Sequence, residues 1–161
     1  MLELYAQKAI TGDANDDQFG YSVAISGNYC IVGDNQFNTT DKGHAFIYER
    51  QRNGDWKQVK TLTGDDNDKQ FGESVAISGN YCIVGDNTSE RGKGAGTKGH
   101  AFIYERQRNG EWKQVKALTG DDDDEAFGWS VAISGNYCIV GDQLGNDGDK
   151  GHAFIYELKL V

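Results

Sequence analysis

The residues best placed to do chemistry are three acidic runs, each directly ahead of a Phe-Gly pair: Asp13-Ala-Asn15-Asp-Asp17, Asp65-Asp-Asn67-Asp-Lys69 and Asp121-Asp-Asp123-Asp-Glu125. A hard cation such as calcium takes several oxygen ligands from a short loop, and alternate residues of such a run can supply them. On that pattern the candidate ligands are Asp13, Asn15, Asp17, Asp65, Asn67, Asp121, Asp123 and Glu125. An EF-hand loop also needs glycine at its sixth position and a distal glutamate; Gln18, Gln70 and Ala126 follow here instead, and Lys69 puts a cation among the ligands. The competing reading is a solvated acidic turn, because charge runs usually face water.

His44, His100 and His152 recur at one equivalent position, Gly-His at the start of an apolar run. They could converge on a metal if they pointed at a common axis, or each could be a structural histidine hydrogen-bonded at the start of its strand. No Ser-His-Asp set can be singled out, since every candidate appears in triplicate and catalysis needs one asymmetric constellation. The expectation is therefore that the chain is not an enzyme. Tyr21, Glu73 and Trp129 occupy the one position that differs among three otherwise identical segments, and differences between copies are where ligand binding is expected.

Those segments are Phe-Gly-x-Ser-Val-Ala-Ile-Ser-Gly-Asn-Tyr-Cys-Ile-Val-Gly-Asp, beginning at Phe19, Phe71 and Phe127, followed by Gly-His-Ala-Phe-Ile-Tyr-Glu at Gly43, Gly99 and Gly151. A period of roughly 50 residues marks a unit that cannot bury its own faces and must stack on copies of itself. Only the connections between the two blocks change length, at Asn35 to Lys42, Asn87 to Lys98 and Gln143 to Lys150, and they are the second candidate binding surface.

Within the middle copy, Trp56 to Leu62 alternates loosely, as an outer strand does. Ser74-Val-Ala-Ile-Ser78 has one β-branched face and one small face, and Tyr81-Cys-Ile-Val84 is apolar on both. Gly79-Asn80 and Asn109-Gly110 are hairpin signals, and Gly99 to Glu105 supplies a fourth strand. The chain is thus predicted to be all-β, with four antiparallel strands per unit in the manner of a β-propeller blade. Trp56 and Trp112 are expected as outer-strand packing residues, with sugar stacking as the alternative.

The predicted organisation is a single repeat domain over 1–161. Blade 1 has its core at 19–62, blade 2 at 71–118, and blade 3 at 127–158, closed by an N-terminal strand at 3–10 that aligns with Trp56 to Leu62. Three blades would each have to turn about 120°, which sheets packed about 10 Å apart cannot do. Two chains that exchange their first strands would give a six-bladed homodimer with no open edge.

The chain has 161 residues, 37% of them hydrophobic, 22 glycines, no proline and a formal net charge of −9. That charge repels nucleic-acid phosphates and anionic membranes and favours cations or basic partners, so neither nucleic acid nor membrane is expected as a partner. The first ten residues have neither the basic start nor the apolar run of a signal peptide, and no run approaches the ~18 apolar residues of a membrane helix. Cys30, Cys82 and Cys138 are one position seen three times and read as small buried thiols, which mildly favours a reducing compartment.

Phe-Gly-x-Ser-Val-Ala-Ile-Ser-Gly, then Ile-Val-Gly-Asp, then Gly-His-Ala-Phe-Ile-Tyr and a Trp-Lys-Gln strand resemble the FG-GAP repeat, the blade of the integrin α-subunit propeller and of many extracellular proteins. The resemblance covers nearly the whole chain and implies a propeller with an adhesion or ligand-binding role in an extracellular setting. Two positions depart from it. Gly33-Asp34, Gly85-Asp86 and Gly141-Asp142 carry aspartate where Ala-Pro is usual, and the connection that holds calcium in integrin-type blades is here only Gly27-Asn28 and its equivalents. A WD repeat fits less well: Gly43-His44 is shared, but the closing Trp-Asp is missing and Asp55-Trp56 has the reverse order. The expected function is a non-enzymatic binding or scaffold module that engages a protein or glycan through its rim loops, with no cofactor besides possible calcium. The alternative is a repeat-amplified or engineered self-assembling propeller with no ligand of its own.

Overall fold

The computed structural model describes residues 1–5, 8–13, 18–36, 42–64, 70–87, 98–120, 126–143 and 150–160. Among them are eleven strands and no helix, hence none that could cross a membrane. β1 (Phe19–Ser26), β2 (Tyr29–Asp34), β3 (His44–Arg50) and β4 (Trp56–Thr63) form the first sheet. β5 (Ser74–Ser78), β6 (Tyr81–Asp86), β7 (His100–Arg106) and β8 (Trp112–Thr119) form the second, and β9 (Ser130–Ser134), β10 (Tyr137–Asp142) and β11 (His152–Glu157) the third. Each is an antiparallel meander in chain order.

The hairpins arise where the sequence places them. Ser78 pairs with Tyr81, so Gly79 and Asn80 alone make the turn. Gly79 takes φ +58°, the left-handed conformation that a type II′ turn requires at its first position. At the other hairpin Arg106 pairs with Trp112, and the connection is closed by Gln107 N–H donating to the Glu111 carbonyl at 2.7 Å.

The two faces of each strand serve two different neighbours. Val75 and Ile77 of β5, with Cys82, Val84, Tyr104 and Trp112, pack against Ile31, Ala45, Ile47 and Leu62 of the first sheet. Ala76 lies on the opposite face of β5 and joins Ile83, Ala101 and Ile103 against Phe127, Cys138 and Val140 of the third. The small face is what lets the sheets approach. Gly99 has no room for a side chain: a Cβ there would lie 1.7 Å from the Phe127 carbonyl oxygen. Ser74 Oγ donates to the Gly128 carbonyl at 2.8 Å across the same junction, and Ser22 Oγ to that of Gly72 at 2.7 Å across the first. The blades are therefore interlocked through backbone as well as apolar contact.

Residues 1–5 and 8–13 form no strand in the single chain, and the third sheet has three strands. The cause is placement: Ile10 packs with Phe19, Val32 and Phe46 on the first blade, at the opposite end of the stack from β11.

Candidate binding rim

Because every sheet is a meander, β2–β3, β4–β5 and their equivalents all leave from one end of the stack, here the upper end. The β1–β2 and β3–β4 hairpins close the lower end. The described ends of the three connections that vary between copies, and of the three segments that contain the acidic runs, are thus at the upper end.

Beneath them lies a layer of buried polar groups. Asp34, Asp86 and Asp142 end the second strand of each blade at 0%, 0% and 1% exposure. Each pairs in register with the histidine that starts the third strand: Asp34 with His44, Asp86 with His100, Asp142 with His152. In blade 1 the Asp34 carboxylate accepts from Gln36 Nε2 at 2.7 and 2.9 Å, and its Oδ2 lies 3.3 Å from His44 Nδ1. The histidine rings lie over the phenylalanine two residues along the same strand, His44 on Phe46 and His100 on Phe102. Each histidine is thus held within its own blade, and among the described residues no three His, Cys, Asp or Glu side chains gather into a metal-holding group. The aspartates were not singled out as site residues from sequence. The signal was present in the recurring Gly-Asp and Gly-His at the ends of adjacent strands, at the very position where the family pattern has Ala-Pro.

The three variable positions fall into different environments. Tyr21 and Trp129 are exposed at 54% and 39%, whereas Glu73 is buried at 8%. Glu73 accepts a hydrogen bond from the backbone amide of Asn87. With the Gln70 amide oriented so that its nitrogen faces acceptors, it donates to Glu73 Oε2 at 3.2 Å and to the Asn87 carbonyl at 2.6 Å. Of the cation-ligand candidates, Asp13 is described and exposed. Asn15, Asp17, Asp65, Asn67, Asp121, Asp123 and Glu125 lie outside the described residues, as does most of each variable connection.

Burial pushes the Glu73 carboxyl from its ordinary 4.5 up to about 7, against the smaller opposing pull of the Asn87 amide. A raised carboxyl favours the protonated folded state, so this contribution is fully present below pH 4.5 and is lost as the pH climbs through 7. The loss should be about 2 kcal/mol, below the full value of the shift because the carboxyl is not wholly shielded from solvent screening. Urea titrations at pH 4 and pH 8 check it. Glu73→Gln should match the parent at pH 4 and exceed its stability by about that amount at pH 8; parallel pH dependence in the two proteins would refute the assignment.

Two further sequence expectations concern packing. Cys82 and Cys138 are buried and Cys30 half-buried, all as free thiols, and desolvation raises each one's pKa, which makes them poor nucleophiles. Trp112 is 3% exposed and meets Tyr29 of the first blade edge to face at 5.9 Å, with the Arg106 guanidinium 4.7 Å above the same Tyr29 ring. It is a packing residue. The lower end carries a shallow groove lined by Asn80, Glu105, Arg106, Gln107, Arg108 and Asn109, which is built entirely from hairpin residues.

Comparison with known families gives a match to the FG-GAP repeat over residues 7–48, 56–104 and 112–156. No curated protein matches the chain.

Proposed function

Because the chain belongs to the FG-GAP repeat family, matched by three copies along most of its length, we propose that it is a non-enzymatic β-propeller module that recognises a protein or glycan ligand through its upper rim. The observation that carries this reading is the segregation of variation to one end. The interlocked strands and the lower hairpins are nearly the same wherever they recur, although the third blade has only the first of its two hairpins. The connections at 35–42, 87–98 and 143–150 differ between copies, as do the exposed Tyr21 and Trp129, and the strands that flank them leave from the upper end. Rigid scaffolds that present divergent loops on one face are the usual arrangement for recognition. Tyr21 and Trp129 add flat, amphipathic side chains suited to stacking on a sugar face or an apolar patch.

Charge narrows the partner. The acidic runs belong to upper connections, whereas Arg50, Arg52, Arg106 and Arg108 belong to the lower end. A ligand approaching the upper rim is therefore favoured if it is neutral or basic, which fits a glycan or a basic protein surface and disfavours nucleic acid or an anionic membrane. The extracellular setting implied by the family resemblance belongs to the same proposal. One observation favours the rival reading of a self-assembling propeller without a ligand: the copies are nearly identical, as expected if assembly alone were conserved.

A glycan array and an array of purified basic proteins, probed with the parent chain and two variants, separate the readings. One variant exchanges 35–42 with 87–98 and carries Tyr21→Ser and Trp129→Ser; the other carries Gln107→Ala and Asn109→Ala at the lower end. Recognition through the upper rim predicts a ligand whose affinity falls at least tenfold in the first variant and stays unchanged in the second. Binding unaffected by the rim exchange, or no ligand on either array, would favour the rival.

A further inference from the structure

Every junction between blades is made from the same two half-surfaces, and each half stands uncovered once. The first half is the trailing face of a blade. Ile31 and Ile83 on that face are 0% exposed, while their third copy, Ile139, is 37% exposed; Ile47 and Ile103 are 0% and 1%, while Ile155 is 72%. The second half is the leading face. Val75 and Ile77 are 7% and 6% exposed in blade 2, but Val23 and Ile25 in blade 1 are both 68%.

The polar contacts follow the same rule. Ser22 and Ser74 each donate across a junction to the carbonyl of the glycine that opens the next blade, whereas Ser130 is exposed on blade 3. A Cβ on Gly72 or Gly128 would strike the carbonyl oxygen of His44 or His100 at 2.2 and 2.3 Å, and the equivalent position on Gly20 meets nothing within 4 Å. Tyr29 sits under Arg106 and against Trp112, while its third copy, Tyr137, is 51% exposed.

The described part of the N-terminal arm already occupies the place of an outer strand from a preceding sheet. Lys60 of β4 reaches forward to Glu111 of the second blade at 3.1 Å, and Lys8 reaches Asp55 of the first at 2.6 Å. Leu62 packs with Phe71, and Ile10 packs with Phe19 in the same way. What the arm lacks is a sheet to belong to, and the third sheet lacks an outer strand.

We propose that these faces close on each other between two copies of this chain. The third blade of each copy seats on the first blade of the other, and β11 takes residues 8–10 of that other copy into the place of its missing fourth strand. By analogy with Ala45 opposite Leu62 and Ile47 opposite Lys60, Ala153 pairs with Ile10 and Ile155 with Lys8. Two equivalent seams related by a twofold axis yield six blades, within the usual propeller range and with no three-stranded sheet left open at β11. The occupant is a second copy because the surface that fits the trailing face, with its Phe-Gly opening and its Val and Ile, is the one this chain leaves bare on blade 1.

Light scattering coupled to gel filtration tests this on the full chain, whose single-copy mass is 17.7 kDa. The parent should run at twice that mass. Ile155→Arg and Val23→Glu alter residues that are exposed in the single chain, so each should keep its far-UV circular dichroism and run as a single copy, with a dissociation constant raised about a hundredfold or more. Mixing the two variants should restore dimers, because one of the two seams is then built from unaltered faces. A parent that stays single at high concentration, one that grows into larger open chains, or variants that remain dimeric would each overturn the proposal. If one variant fails to fold, the other still decides.

Discussion

Replacing Gly99 by alanine should lower the stability of the chain by about 3 kcal/mol or more and its melting temperature by about 10 °C. The added methyl would lie 1.7 Å from the Phe127 carbonyl oxygen, and its next contacts are also Phe127 backbone atoms. No rotamer relieves such a clash. The second and third sheets would have to separate, which would strip Ile83, Ala101 and Ile103 of the neighbours that bury them. Gly151 is the same position in the third copy, and its Cβ would meet nothing nearer than the Asp142 carbonyl at 3.0 Å. Gly151→Ala should therefore cost the single chain little. Thermal melts followed by circular dichroism, in solution dilute enough to keep the chain single, check the contrast, and equal losses there would show that the repeat's own fold, rather than the neighbouring blade, demands this glycine.

The second large effect is expected at Ile103, which is 1% exposed between the second and third sheets. Truncation to alanine removes buried methyl groups and leaves a cavity that the flanking sheets cannot both collapse into, at a cost of about 2–5 kcal/mol. Its third copy, Ile155, pairs with Ile139 as Ile103 pairs with Ile83, but in the single chain it has neither an outer strand beside it nor a blade beyond it. Ile155→Ala should be within about 1 kcal/mol of the parent when the chain is dilute, and should fall behind it as concentration rises. Denaturant titrations at two protein concentrations read both results. A loss at Ile155 as large as at Ile103 in dilute solution would mean that burial within one sheet, and not stacking, sets the energetics.

Much of this was legible in the sequence because the signals are local. The alternation of Ser74-Val-Ala-Ile-Ser78 and the Gly79-Asn80 pair specify a strand and a two-residue turn without help from elsewhere, and β5 spans those residues. Tyr81-Cys-Ile-Val84 reads as a strand covered on both faces because both faces are apolar, and β6 contributes Cys82 to one junction and Ile83 to the next. The limits are equally physical. Identical residues at Ile31, Ile83 and Ile139 cannot reveal which copy lacks a neighbour, since exposure is a property of the stack. Glu73 reads as a variable surface residue from its alignment with Tyr21 and Trp129, yet it is buried against Gln70 and Asn87. Variation at that position therefore reflects packing under the rim as well as whatever the rim contacts. The Asp34–His44 pairing was hidden by a connection of uneven length, which obscures a register that the strands make plain.

Hydrogen exchange read by mass spectrometry tests most directly the claim that one junction recurs throughout. The segment Ser-Val-Ala-Ile-Ser recurs unchanged in β1, β5 and β9, and Tyr21, Glu73 and Trp129 give the peptides that contain it distinct masses. Their protection therefore differs only through what lies on either side of each strand. All three should be comparably protected at concentrations where two copies close the ring, with β1 and the residues of β11 losing protection first on dilution or in Ile155→Arg. Lasting protection of β5 alone, with β1 and β11 exchanging rapidly at every concentration, would contradict it.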